Sequence, residues 1–521
     1  MLSEKDLSAF NPWWRSPKSI DEDPSIVELG ASPLQWVPEL RHSFEDLDVI
    51  YGLRGPRRVG KTTLIKTMIR DLLAGGIDPL CILFLPCDLL GTPRALFDAV
   101  AFYLDRVKAD RPCRSHIFID EVSMIRGWQR AIKALSDAGR LKNCTMLLTG
   151  SHSIDLRKAT ETLAGRRGEV SRLTQGGPDK TLLPMLFAEY ASARSNVMSR
   201  ALREAGLAAR EGKRNALAAL LGGTIPEGVK RMSLCAADLE ALLDDYLITG
   251  GMPLPVREHM GSRTISPNTY AGYMGLLMRD LSRWGADEAY ARQLLERVVA
   301  TMTSHVSWNS LKEGTEIRDH KTVESYVMAL RDGFVLNCLY RLHAKGRPWL
   351  LKEKKLYFMD PFIFHACRGW LSGRDPYQGC LEFLADAESK GRLVESTVGS
   401  HLLRIAGRSV HTQLGGMPGL FYWRSKKSGR EVDFVLRGCE GEGAPASAMA
   451  GGSGGSKSGA ERYATMEVKY SGQVKKEDAY GIYDFMKGGA ACRSGIVVSK
   501  DVLDARSNYV AVPAYLFLLL A

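Results

Sequence analysis

Eight residues, Gly55 to Thr62 (GPRRVGKT), carry the spacing G-x-x-x-x-G-K-[ST] of the phosphate-binding loop of nucleotide hydrolases. Gly55 and Gly60 let backbone N–H groups turn inward around an anion. A helix start behind them adds roughly half a positive charge at the phosphate. Lys61 then reaches the β/γ-phosphates, and the Thr62 hydroxyl is a Mg²⁺ ligand. Pro56, Arg57, Arg58, Val59 and Thr63 complete the stretch expected to surround ATP. Downstream, Asp120 and Glu121 follow the apolar run Ile117-Phe118-Ile119. Asp120 is expected to hold Mg²⁺ through water, and Glu121 to position the attacking water as a base. A solvent-exposed Asp-Glu pair at a strand end is the plain alternative, and the upstream phosphate loop favours chemistry. Thr149-Gly150-Ser151 closes a further strand. Either this strand end, with Ser151 among the residues about the nucleotide, sits beside the γ-phosphate as a polar sensor, or the three residues are a simple glycine turn.

A second constellation lies in the C-terminal part. Alternation places Glu431 and Asp433 on one face of EVDFVL, and Glu467 and Lys469 on one face of MEVK. If those strands pair, three carboxylates and one ammonium converge. The helical pattern LVESTVGSHLLRI (393–405) can deliver Glu395 to the same place. Two uses are open: metal-assisted hydrolysis, or a cross-strand salt-bridge ladder on a solvated face.

These groups need a scaffold, and the chain supplies alternating patterns for one. Val49 to Leu53 is a short apolar run suited to a buried strand entering the loop. Leu64, Ile65, Met68, Ile69, Leu72 and Leu73 then recur at helical spacing. CILFLPC (81–87), HIFIDE (116–121) and TMLLTGS (145–151) read as further strands, and Ala95 to Val107 as an amphipathic helix. Strand alternating with helix predicts a parallel α/β sheet. Residues 191–245 are rich in Ala, Leu, Arg and Glu and read as helices, with an insertion around 205–230. Between about 290 and 345 short helices precede KTVESYVMALRDGFVLNCLYRL, where Val323, Tyr326, Val327 and Leu330 share one helix face. That is the layout of a winged helix, used either on DNA through Arg318, His320 and Lys321 or for packing alone. The Gly/Ala/Ser-rich stretch 437–462 reads as a flexible loop inserted in a β-hairpin.

Composition bounds the rest. A chain of 521 residues predicts two to four domains. Hydrophobic content of 45% and charged content of 25% are those of a soluble globular protein. The net charge of +11 favours anionic partners, nucleotide and nucleic acid. Ten cysteines are scattered without C-x-x-C pairs and read as reduced thiols of a cytoplasmic protein. No apolar run approaches a membrane span.

The order GLRGPRRVGKTTLI, FIDE, LLTGS, Gly165-Arg166 and LLPMLFAEY (182–190) resembles a prokaryotic family of AAA-type ATPases. Members of that family carry a C-terminal domain resembling PD-(D/E)XK nucleases. The resemblance implies an arginine finger at Arg166, with Arg167 as the competing position. It implies a structural turn at Asp245 to Pro253, where a tyrosine precedes Gly-Gly-x-Pro. It also implies that Asp433 and Glu467 bind Mg²⁺, and that Lys469 orients water or stabilises developing charge.

The expected architecture is therefore α/β. An N-terminal strap (1–47) leads into a P-loop AAA-type ATPase domain (48–200) and a helical lid or insertion region (201–285). A winged-helix-like domain (286–345) and a nuclease-like domain with its loop (346–521) follow. The expected function is Mg²⁺-dependent ATP hydrolysis by a homo-oligomer acting on DNA. The alternative is an ATP-dependent regulatory switch with an inert C-terminal domain.

Overall fold

A computed structural model describes residues 4–108, 111–150, 156, 162–163, 165–174, 176–343, 346–409, 419–438, 463–488 and 494–521. They form two compact units, Met1–Pro184 with Asp332–Phe334, and Met185–Arg331 with Val335–Ala521.

The first unit is built on five parallel strands: β1 (Ile50–Arg54), β2 (Ile82–Pro86), β3 (Ser115–Asp120), β4 (Cys144–Thr149) and β5 (Asp179–Thr181). Their spatial order is β2-β3-β4-β1-β5. Parallel strands are covered on both faces, which is why SHIFID of β3 is buried from end to end. The Lys61–Ala74 helix follows β1 directly and buries Leu64, Ile65 and Ile69. Ligands of such sheets bind beyond the carboxyl ends of the strands, where the phosphate loop and Asp120-Glu121 both lie.

Strand β2 is an edge, and the N-terminal segment covers it. Asn11 donates to the Phe84 carbonyl at 2.9 Å and accepts from the Phe84 N–H at 2.6 Å, imitating a neighbouring strand. The indole N–H groups of Trp13 and Trp14 donate to the Ile82 carbonyl at 3.3 and 2.8 Å. An edge covered in this way offers no free template for another chain. One expectation is corrected here. Cys81 and Cys113 form a disulfide, which scattered cysteines with no short spacing did not signal.

The second unit carries a nine-stranded sheet: β6 (His305–Val306), β7 (Leu336–Leu342), β8 (Pro348–Phe358), β9 (Leu420–Arg424), β10 (Glu431–Arg437), β11 (Tyr463–Val468), β12 (Gly495–Ser499), β13 (Asp504–Arg506) and β14 (Tyr509–Pro513). The order is β13-β14-β12-β11-β10-β9-β7-β8-β6. Helices Glu288–Ala300, Trp308–Lys312 and His320–Asp332 surround β6 and precede the β7–β8 hairpin. The expected boundary between 345 and 346 falls inside that hairpin, because β7 and β8 pair from Leu336↔Phe358 to Leu342↔Pro348.

The Gly250-Gly251 turn shows why its residues are small. A Cβ on Gly251 would come within 2.1 Å of the Met185 carbonyl oxygen, which also accepts from Tyr246 Oη at 2.8 Å. The Gly251 N–H donates to the buried Asp360 carboxylate at 2.7 Å. Among the described residues, no helix is long and apolar enough to cross a membrane.

Candidate functional site

The phosphate loop is shaped by close approach. Gly55 lies against the Leu182 carbonyl, where a Cβ would sit 2.1 Å from the oxygen. Gly60 takes φ 98° and opens the Lys61–Ala74 helix. Arg58 also adopts a left-handed φ of 60°. Lys61 is buried, and its ammonium donates to the Gly55 and Pro56 carbonyls, both at 3.0 Å. The amine is thus held inside the loop that is expected to cradle phosphates.

Three hydroxyl and carboxyl groups close the opposite side. The Thr62 hydroxyl donates to Asp120 Oδ2 at 2.7 Å, and the Thr149 hydroxyl donates to Asp120 Oδ1. Thr149 Oγ1 in turn accepts from the Glu121 N–H at 3.0 Å. One threonine therefore orients both acids: Asp120 by its side chain and Glu121 by its backbone. Burial pushes the Asp120 carboxyl up, the Thr149 and Thr62 hydroxyls pull it back, and the net shift is upward. Glu121 stands at φ 53°, in the left-handed region that a non-glycine residue rarely occupies. Such strain persists where the surroundings enforce it, as it does here at the end of β3. Thr62 and Asp120 bring two hard oxygen donors together, the donor type Mg²⁺ prefers. The residues fit that ion.

Of the sensor turn, Thr149 takes the polar role, and Ser151 lies outside the described residues. Its signal in the sequence was a hydroxyl closing an otherwise apolar strand. The two arginines separate by burial. Arg167 is buried and donates from Nε to the Ile50 carbonyl at 3.0 Å and from Nη1 to Asp179 at 2.7 Å, which is a structural position. Arg166 is partly exposed and pairs with Asp137 at 2.6 Å.

In the second unit the acids singled out from the sequence do converge, around a cation that was not singled out. The ammonium of Lys355, buried on β8, lies 2.7 Å from Asp433, 3.1 Å from Glu431 and 3.3 Å from Glu395. Tyr357 donates to Glu395 at 3.0 Å, and His305 Nε2 lies 2.9 Å from Glu431 Oε2, a close approach rather than an aligned hydrogen bond. Asp433 Oδ2 accepts from the Val468 N–H at 3.0 Å, and Glu467 Oε2 from the Asp433 N–H at 3.2 Å. Lys469 pairs with Glu467 Oε1 at 3.4 Å. Burial lowers the affinity of Lys355 for its proton, but the surrounding acids, Asp433 foremost, hold it well above the ordinary lysine value.

The divalent ion expected at Asp433 and Glu467 does not fit this geometry, because the buried Lys355 ammonium already stands among the acids, against Asp433, Glu431 and Glu395. Among the described residues, these acids do not bring three ligand oxygens within 4.8 Å of one another. Lys355 supplies the positive charge at the centre of the cluster instead. Alternation along KEKKLY places Lys355 and Tyr357 on one face. That sign was legible, but its partners lie 40 to 78 residues further along the chain.

Residues 48–191 match the family described as AAA domain, and residues 240–374 match a domain of unknown function, DUF8612. The first unit thus holds an AAA-type P-loop domain. Curated protein sequences give no match. Among solved structures, the Orc1 protein of Aeropyrum pernix in complex with DNA aligns at 13% identity and TM-score 0.29, covering 71% of this chain and 97% of that one. Cdc6p of Pyrobaculum aerophilum aligns at 11% and 0.22, over 62% and 88%. Drosophila ORC bound to DNA aligns at 12% and 0.21, over 63% and 83%. Likeness at those scores carries no argument.

Proposed function

We propose that this chain is a Mg²⁺-dependent ATPase of the AAA type that acts on DNA. The observation that carries the reading is the Thr62–Asp120–Thr149–Glu121 chain of hydrogen bonds facing the Lys61 loop. Lys61 exchanges its carbonyl partners for β/γ-phosphate oxygens, and the loop N–H groups bind the same anion. Thr62 and Asp120 would hold Mg²⁺, which would supply neutralisation of the phosphate charge. Thr149 fixes Glu121, whose carboxylate orients water and takes its proton. Arg166 is the candidate donor of a trans arginine, so the active form is a homo-oligomer. DNA enters as partner through the net charge of +11 and the helix–hairpin layout of residues 288–358.

A second reading, an ATP-controlled regulatory switch, is favoured by one observation. Lys355 fills the centre of the carboxylate cluster that metal-dependent DNA cleavage would need. The C-terminal domain then binds or braces and does not cut. ATP turnover with and without single-stranded, duplex and branched DNA separates the two. Stimulation by DNA is the expected result. Turnover that is flat across all three favours the switch, and no turnover in any condition contradicts the ATPase.

A further inference from the structure

Two hairpins of the second sheet bring together three cations that, among the described residues, pair with no acid. Arg341 on β7 pairs across the hairpin with Trp349 on β8, and Lys426 projects from the β9–β10 turn. The Arg341 guanidinium, the Lys352 ammonium and the Lys426 ammonium stand 5.7, 5.3 and 5.0 Å from the centre of the Trp349 ring. Two backbone devices hold this arrangement. Arg341 Nη2 donates to the Arg424 carbonyl at 2.6 Å, and Ser425 Oγ accepts from the Lys427 and Ser428 N–H groups at 3.3 and 3.2 Å.

Three like charges around one ring repel. Cation–π attraction returns only about 0.5–1 kcal/mol each at an exposed site. Among the described residues, no carboxylate pairs with Arg341, Lys352 or Lys426; the nearby Glu353 pairs with Arg424 instead. An arrangement of this kind is completed by an external anion. Lys352 and Lys426 are exposed, so the anion is met at a surface. Leu350 and Leu351 are 49% and 93% exposed on the same strand. Exposed apolar side chains next to cations suit duplex DNA, where such groups wedge at base steps while cations hold the backbone.

We propose that the adjoining ends of the β7–β8 and β9–β10 hairpins form a duplex-DNA contact, with Trp349 positioning Arg341, Lys352 and Lys426 against the phosphodiester backbone. The contact lies apart from the Arg318, His320 and Lys321 edge expected from the sequence, and it rests on the reading that the chain acts on DNA. The test is fluorescence anisotropy of a labelled duplex with the full chain, titrated at several salt concentrations with poly-glutamate as competitor. Lys352→Gln/Lys426→Gln and Lys352→Glu/Lys426→Glu are compared with wild type, each checked for an unchanged melting temperature. Both lysines are exposed, so stability should hold. The charge-reversed protein is expected to bind at least tenfold more weakly. The neutral protein should lose about 1.8 from the slope of log K against log salt, two phosphate contacts at about 0.9 each. Wild-type binding to duplex matched by both variants, with equal slopes, would overturn the proposal and leave the DNA reading intact. Wild type that binds poly-glutamate in preference to duplex would also overturn it. No binding of any DNA by any form would overturn the DNA reading itself.

Discussion

Glu121→Gln is expected to bind Mg-ATP as wild type does and to lose about 10²–10⁴-fold in turnover, the usual worth of a general base. The substitution keeps size and backbone and removes the proton acceptor. Backbone position is set elsewhere, by the bond from the Glu121 N–H to Thr149 Oγ1 and by the φ of 53° at the end of β3. The glutamine therefore starts from the same place. On the proposed function, nucleotide affinity rests on Lys61, Thr62 and the loop N–H groups, which the change does not touch. Thr149→Val is a gentler perturbation of the same site, because it loosens Asp120 and Glu121 together without removing either carboxylate. Binding measured with a fluorescent ATP analogue, beside phosphate release, separates the two effects. Wild-type turnover by Glu121→Gln would remove Glu121 from the reaction.

The second large effect is structural. Lys355→Met is expected to destabilise the β8–β10–β11 region by about 3–5 kcal/mol, the cost of breaking a buried ion cluster by removing one partner. Three carboxylates, on Asp433, Glu431 and Glu395, would lose their common cation. Hydrogen exchange of the β10 and β11 amides reads the change locally. Adding Asp433→Asn should recover part of the loss, since neighbours in one network do not add. Unchanged protection in Lys355→Met would show that the cluster is not held by its lysine. Mg²⁺ without nucleotide should leave wild-type protection of these strands unaltered.

Two members of the cluster, Glu431 and Lys355, each contribute a pH response of definite sign, while burial moves Glu395 and Glu467 the opposite way from Glu431. Burial would raise the Glu431 carboxyl, but the neighbouring His305 ring and the Lys355 ammonium bring it down to about 2. A depressed carboxyl contributes stability that is complete above its ordinary value near 4.5 and is lost as pH falls through about 2. Lys355 is raised, so its contribution is complete below the ordinary lysine value near 10.5 and disappears only as pH rises through its higher folded value.

What was legible in the sequence follows the range of the interaction. The phosphate loop, the Asp120-Glu121 strand end and β1 to β4 of the first sheet are local patterns, whereas the three-residue β5 was not expected. There, residue type and spacing within about ten positions decide the structure. Alternation also placed Asp433 and Glu467 on their strands and Glu395 on the Ala387–Ser409 helix, whereas Lys469 lies one residue beyond the end of β11. Lys355 was not legible as their partner, because its meaning depends on β8 joining the same sheet as β10. The same long-range pairing runs the β7–β8 hairpin through an expected domain boundary. Thr149 illustrates a subtler limit. The Thr149-Gly150-Ser151 strand end reads as a polar sensor or a glycine turn until the neighbouring strand shows that the Thr149 hydroxyl meets the Asp120 carboxylate and the Glu121 N–H.

The most direct test of the account is Mg-ATP binding and turnover by the full chain beside Lys61→Ala. Lys61 is the cation that the loop folds around its own carbonyls and, on this account, surrenders to the nucleotide. Wild type is predicted to bind Mg-ATP and hydrolyse it, and Lys61→Ala to do neither. A wild-type chain that binds no Mg-ATP, or a Lys61→Ala chain that hydrolyses it at the wild-type rate, would contradict the assignment of this loop as the nucleotide site.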